Sequence, residues 1–144
     1  MSNMYDLDLD KNEANFQALT PIYYLARAAA VFPDHIAVIH GYQKISYEAF
    51  YQRCRRLASA LTQRGVARGD TVSVMLANTP AMLEAHYAVP MCGAVLHSLN
   101  TRLDAPVIAM QLDHAESRVL ITDLAFADTM RSALHLASTA PVVI

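Results

Sequence analysis

The sequence predicts an α/β fold: a parallel sheet with crossover helices, preceded by one helix and a β-hairpin. Three observations carry this. From Asp70 onward, short apolar runs alternate with longer helix-like stretches, the order that builds strand–helix–strand crossovers. The runs Thr71–Ala77 (TVSVMLA) and Arg118–Asp123 (RVLITD) are almost continuously apolar, as strands covered on both faces must be. Ahead of Asp70, two amphipathic stretches flank a short β-branched pair, which is a different grammar.

Taken in order, residues 1–19 hold no sustained period and read as a tail. Thr20-Pro21 starts a helix, because Thr caps and a first-turn proline lacks an N–H that would be unpaired anyway. Ile22, Leu25, Ala26 and Ala29 form its apolar stripe, and Pro33 stops it. Ile36–Ile39 is β-branched, His40-Gly41 reads as a turn, and Lys44-Ile45 returns as the paired strand. Ser46 caps a long helix whose stripe is Tyr47, Phe50, Cys54, Leu57 and Leu61, with Gly65 as its stop.

Thr71–Ala77 is then the first strand of the sheet, and Asn78-Thr79-Pro80 opens a helix through Met91. Ala94–Leu99 is the second strand, and Asp104 caps a helix over Ala105–His114. Arg118–Thr122 is the third strand, Ala127, Met130, Leu134 and Ala137 mark the next helix, and Pro141–Ile144 reads as a fourth strand. The expected organisation is a tail (1–19), an α+β leading segment (20–69) and the start of a Rossmann-like parallel subdomain (70–144). A buried-type strand at Ile144 implies a sequence that continues.

Composition excludes several functions. Net charge is −2, so no basic field points to a nucleic-acid partner. Five arginines fall between Arg53 and Arg68, and they read as a solvated helix face. The longest apolar stretch, Ala88–Leu96, carries Pro90 and Gly93 and is far short of the ~20 residues of a membrane span. Cys54 and Cys92 form no C-x-x-C, read as small core residues and fit a reducing, cytoplasmic setting. The chain has only four glycines, each isolated, so no G-x-G-x-x-G and no phosphate-binding loop can be written. The six histidines show no i, i+4 pair and no H-E-x-x-H, so no metal site is expected. No nucleophile elbow is present, and no catalytic residue is assigned.

Ligands of open parallel sheets sit beyond the carboxyl ends of the strands. That rule selects Asn78-Thr79-Pro80, Ser98–Arg102 and Asp123. Asn100, Thr101 and Arg102 are the strongest substrate-binding candidates, offering an amide, a hydroxyl and a guanidinium before a helix start. The competing reading is a β-to-α turn whose side chains bond local backbone. His97, at V-L-H-S-L, joins them as a candidate that could point towards the crevice, against an ordinary hydrogen-bonded sheet residue.

As ordered phrases, Leu19–Gly41 followed by Ile45–Asp123 resemble the N-terminal part of acyl-CoA synthetases of the adenylate-forming (AMP-binding) ligase superfamily. The resemblance rests on Ser46-Tyr47-Glu48-Ala49-Phe50 at a helix start, on Gly65-Val66-Ala67-Arg68-Gly69-Asp70, and on Leu99-Asn100-Thr101-Arg102-Leu103. It implies an incomplete subdomain of a larger ligase. That ligase would join a carboxylic acid substrate (a medium- or long-chain fatty acid or a related acid) to ATP with Mg²⁺, then pass the acyl group to coenzyme A. The family's phosphate loop, aromatic-Thr-Glu segment and catalytic lysine have no counterpart: no Thr-Glu pair occurs, and the only lysines are Lys11 and Lys44. The resemblance therefore implies a segment that binds no cofactor alone, is inactive, and partners the remainder of the ligase chain, with a homo-oligomer possible. The alternative is a stand-alone α/β ligand-binding module or an oligomerisation element.

Overall fold

The structure, a computed structural model, describes residue 8 and residues 10–144. The tail reading for residues 1–7 and 9 lies outside the described residues. Helix α1 (Pro21–Val31) begins where Thr20 Oγ1 accepts the Tyr23 N–H at 3.3 Å, and it buries Leu25 and Ala29. Strands β1 (Ile36–His40) and β2 (Gln43–Ser46) pair antiparallel, with His40 opposite Gln43. The turn is therefore Gly41-Tyr42, one residue later than the sequence suggested. Gly41 supplies the positive φ (59°) a two-residue loop needs, which leaves His40 in the ladder.

Helix α2 (Tyr47–Gln63) starts on the Ser46 cap, and its stripe buries Phe50, Cys54 and Leu61. Its end is a full Schellman motif. Gly65 takes φ 82°, its N–H bonds Thr62 O, and Val66 N–H reaches back to Leu61 O at 3.1 Å. Leu61 and Val66 then enter the same apolar cluster, so the cap also directs the chain into the sheet.

The sheet contains β3 (Thr71–Met75), β4 (Val95–Ser98), β5 (Ser117–Thr122) and β6 (Val142–Val143) in the order β4-β3-β5-β6, all parallel. Helices α3 (Pro80–Met91), α4 (Ala105–His114) and α5 (Ala127–Leu136) make the crossovers. β3 stops two residues short of the apolar run, because Thr79 N–H bonds Ala77 O and turns the chain into α3. Strand parity sorts the core into two layers. Val72, Val74 and Val119 pack with Leu61, Ala85 and Val89 on the α2–α3 side. Met75, Leu99 and Leu120 pack with Ile108, Leu112, Met130 and Ala133 on the α4–α5 side.

α1 and the hairpin lean on this body through a third cluster, Leu25, Ile45, Phe50 and Cys54, against Tyr87 and Met91. Phe50 meets Tyr87 edge-on at 5.5 Å. Beside that contact, Arg53 Nε donates to Glu84 Oε1 at 2.5 Å, with Glu84 buried. Arg53 thus departs from the solvated arginine face, because α3 brings a carboxylate down onto it.

Candidate functional site

The strand order places a topological switch between β3 and β5. The chain leaves β3 for α3 on one face and leaves β5 for α5 on the other, which parts the loops into a crevice. Its two lips are Leu76–Thr79 and Thr122-Asp123. Thr122 Oγ1 donates to Met75 O at 3.2 Å and ties the lips together. Asp123 Oδ1 accepts from Ala125 N–H at 2.9 Å, so this carboxylate caps a short 3-10 turn (Leu124–Phe126).

Ser98–Arg102 leaves from the edge strand β4, one strand away from the switch. Asn100 Oδ1 accepts the Arg102 N–H at 3.0 Å, and Asn100 O accepts the Leu103 N–H at 3.2 Å, a side-chain-braced turn. Asp104 then caps α4 through Val107 N–H. Thr101 and Arg102 are exposed, and Arg102 enters no ion pair among the described residues.

His97 lies three residues before that turn and faces the α4–α5 layer. Ser73 Oγ is 2.9 Å from its Nδ1 and 2.6 Å from Ser117 Oγ, a polar seam across β4, β3 and β5. Ser73 and Ser117 are buried, and Ser117 reaches this face because the β5 register skips between Ser117 and Val119. Burial, with His114 adding like charge, holds the His97 ring below the ordinary histidine range. The structure thus brings Asn100, Thr101 and Arg102 together at one end of β4 and places His97 inside the layer.

One feature was out of reach of sequence reasoning. A groove of about 580 Å³ opens where Pro21 and the outer strand β1 (Val38, Ile39, His40) meet the start of α3 (Asn78–Pro80, Met82, His86). His86 donates from Nδ1 to Met82 O at 2.8 Å, which leaves Nε2 as the acceptor of the neutral ring. His40 and His86 are 46 positions apart on different elements, so no spacing pattern could pair them. Cys54 is no nucleophile: burial, with the Glu84 charge second, pushes its thiol up to about 12. Cys92 is only half-buried, with Sγ bonded to Ala58 O and Ala88 O, so it is less enclosed than the sequence suggested.

The crevice does not fit a metal-bound nucleoside triphosphate on its own. The loops Leu76–Pro80, Ser98–Asp104 and Thr122–Phe126 contain no glycine and no lysine. Among the described residues, no three His, Cys, Asp or Glu side chains converge on a common point.

Residues 25–143 match the family described as AMP-binding enzyme. The chain belongs to that family. Over 129 residues it is 48% identical to the peroxisomal acetate/butyrate–CoA ligase AAE7 of Arabidopsis thaliana, covering 90% of this chain and 23% of that protein. Over 132 residues it is 45% identical to the peroxisomal benzoate–CoA ligase of the same plant, covering 92% of this chain and 23% of that protein. Among solved structures, a benzoate CoA ligase from Burkholderia xenovorans LB400 superposes with a TM-score of 0.80 at 25% identity, over 88% of this chain and 26% of that one. This AMP-binding family segment therefore spans about a quarter of the length of the relatives it matches. Among the described residues, no helix is long and apolar enough to cross a membrane.

Proposed function

We propose that this chain is the N-terminal part of an ATP-dependent carboxylic acid–CoA ligase. The whole enzyme makes an acyl-adenylate and then an acyl-CoA thioester, and this segment is inactive by itself. The observation that carries the reading is a mismatch. Some nine-tenths of the chain aligns with acid–CoA ligases, yet its crevice loops hold no glycine, no lysine and no carboxylate cluster. A carboxylate is a poor acyl donor, and adenylation needs N–H groups and cations aimed at the transferring phosphate. Arg102 apart, those groups must come from elsewhere in the ligase.

In this reading the sheet is the floor on which the catalytic segments pack, and ATP, Mg²⁺ and coenzyme A belong to the assembled enzyme. The Asn100–Arg102 turn is its substrate-facing contribution, with Arg102 the available cation. His97 contributes from below through the sheet, since Ser73 occupies its Nδ1. The two free thiols support a reducing, cytoplasmic setting, and imaging a tagged chain in a peroxisome would overturn that placement. The activity reading is tested by incubating the chain with ATP, Mg²⁺, coenzyme A and acetate, butyrate or benzoate. Pyrophosphate release at background is expected, and robust turnover by the 144 residues sinks the proposal.

A further inference from the structure

β5 carries an irregularity that its own residues do not specify. Against β3, Ser117 lies opposite Thr71 and Val119 opposite Val72, so Arg118 falls between two successive pairs as an extra residue. Beyond it, Val119 and Ile121 turn to the α2–α3 side and Leu120 to the α4–α5 side. All three are apolar, and both layers are apolar too. A slip that set residue 118 opposite Val72 would exchange their faces and still bury apolar side chains in apolar layers. A strand covered on both faces therefore leaves its register open, and a crossover helix does not fix it as a hairpin turn does.

Arg118 is held from outside the ladder. Its Nε lies 3.2 Å from Oδ2 of Asp70, the residue just before β3. The same Oδ2 accepts the Ala67 N–H at 2.8 Å, the Asp70 N–H donates to Ala67 O at 3.1 Å, and Asp70 O accepts the Val95 N–H at 2.8 Å. The Gly69 N–H adds a bond to Gly93 O at 3.0 Å. Gly65 gives the guanidinium its seat, since a Cβ there would lie 3.3 Å from Arg118 Nη2. The run Gly65-Val66-Ala67-Arg68-Gly69-Asp70 thus meets the starts of β3, β4 and β5 together.

We propose that the Asp70–Arg118 pair sets the register of β5 by keeping Arg118 out of the ladder. With side chains 27% and 54% exposed the pair is modest, worth a several-fold shift in population, and that suffices between pairings of similar stability. The consequence falls at the far end of the strands, about 13 Å away along β3. With Arg118 outside, Thr122 comes opposite Met75, and Thr122-Asp123 stands level with the Leu76–Thr79 lip of the crevice. One residue of slip would move that lip by about 3.3 Å. Asp70 is a positioning residue for a crevice at the opposite end of the sheet. Its bearing on catalysis rests on the ligase reading, whereas the strand pairing does not.

Cross-strand nuclear Overhauser contacts in the isotope-labelled 144-residue chain test this. Arg118→Ala removes the held group and supplies a small apolar residue that can sit opposite Val72. Asp70→Ala frees Arg118. Each is expected to move roughly a tenth or more of the β5 signal to a second pairing pattern, while the Val72–Leu96 contact between β3 and β4 stays unchanged. Deleting Arg118 takes away the extra residue itself. Alone or combined with Asp70→Ala, the deletion is expected to leave a single pattern, with Ser117 opposite Thr71 and Val119 opposite Val72. A single pattern in either substituted chain, a second pattern that survives the deletion, or equal disturbance between β3 and β4 overturns the proposal. Should Asp70→Ala fail to fold, Asp70→Asn, which keeps an acceptor for the Ala67 N–H, takes its place with the same outcomes.

Discussion

The hairpin and the parallel sheet are both built from β-branched residues, but they are ordered by different means. In β3 the four residues Val72–Met75 are fully buried, with helices on both faces. In the hairpin only Ile45 is buried, while Ile36, Ile39 and Tyr42 face outward with Tyr23, Tyr24 and Phe32 of the adjoining α1 segment. A two-stranded hairpin is marginal alone, so this one is ordered by what α2 and α3 hold beneath it. The sheet carries its own stability and the leading segment borrows its order through a joint. Such a cluster of outward aromatic and aliphatic side chains is the kind of surface that further protein covers.

The contrast can be broken most forcefully in the sheet. Leu120→Ala removes a fully buried side chain between two helices and is expected to cost about 2–5 kcal/mol. Ile39→Ala on the open hairpin is expected to stay within about 0.5 kcal/mol. Denaturant unfolding of the two variants checks this, and equal losses would mean that the hairpin carries as much stability as the sheet.

The joint comes next. Glu84→Ala takes away the partner of Arg53, whose side chain is 39% exposed and can turn to water, so the expected loss is moderate, about 1–2 kcal/mol. The informative readout is where it falls. Exchange should quicken in β1 and β2 before β3, and a uniform change would show that α2 and α3 are not the hairpin's anchor.

The smallest effect concerns how the helices end. α2 and α3 both finish on a glycine at positive φ, Gly65 and Gly93, but α4 puts Glu116 in that slot at φ 48°. Glu116→Gly is expected to stabilise the chain by about 0.5–1 kcal/mol, measured as a raised midpoint in urea. A loss would mean that the Glu116 side chain does more than its backbone costs.

The helix boundaries also show what the sequence could disclose. Ser46 and Asp104 announce α2 and α4, because a cap's side chain bonds backbone three residues on. Pro21 and Pro80 announce α1 and α3, because a first-turn proline has no N–H to leave unpaired. Glu116 gives no such notice, since nothing in its side chain favours a left-handed turn. The long-range bonds are silent for a related reason. Arg53 and Glu84 are 31 residues apart, Asp113 and Thr139 are 26 apart, and each is an unremarkable polar residue until folding juxtaposes them. The candidate site divides the same way. The Asn100–Arg102 turn could be placed by the rule for strand ends, whereas the groove shared by His40 and His86 exists only in three dimensions.

The seam of Ser73, Ser117 and His97 has a consequence of its own. Each serine hydroxyl has one proton to give and two lone pairs to accept with, so the seam has two arrangements in which every donor points the same way along the row. With Nδ1 of His97 unprotonated, Ser117 donates to Ser73 and Ser73 to the ring. With a proton on Nδ1, the ring donates to Ser73, whose own proton turns away from the ring and is free to point towards Ser117. The tautomer of one half-buried ring on the edge strand therefore sets which way the Ser73 hydroxyl points, and through it the partner offered to Ser117 two strands away, with no backbone atom required to move.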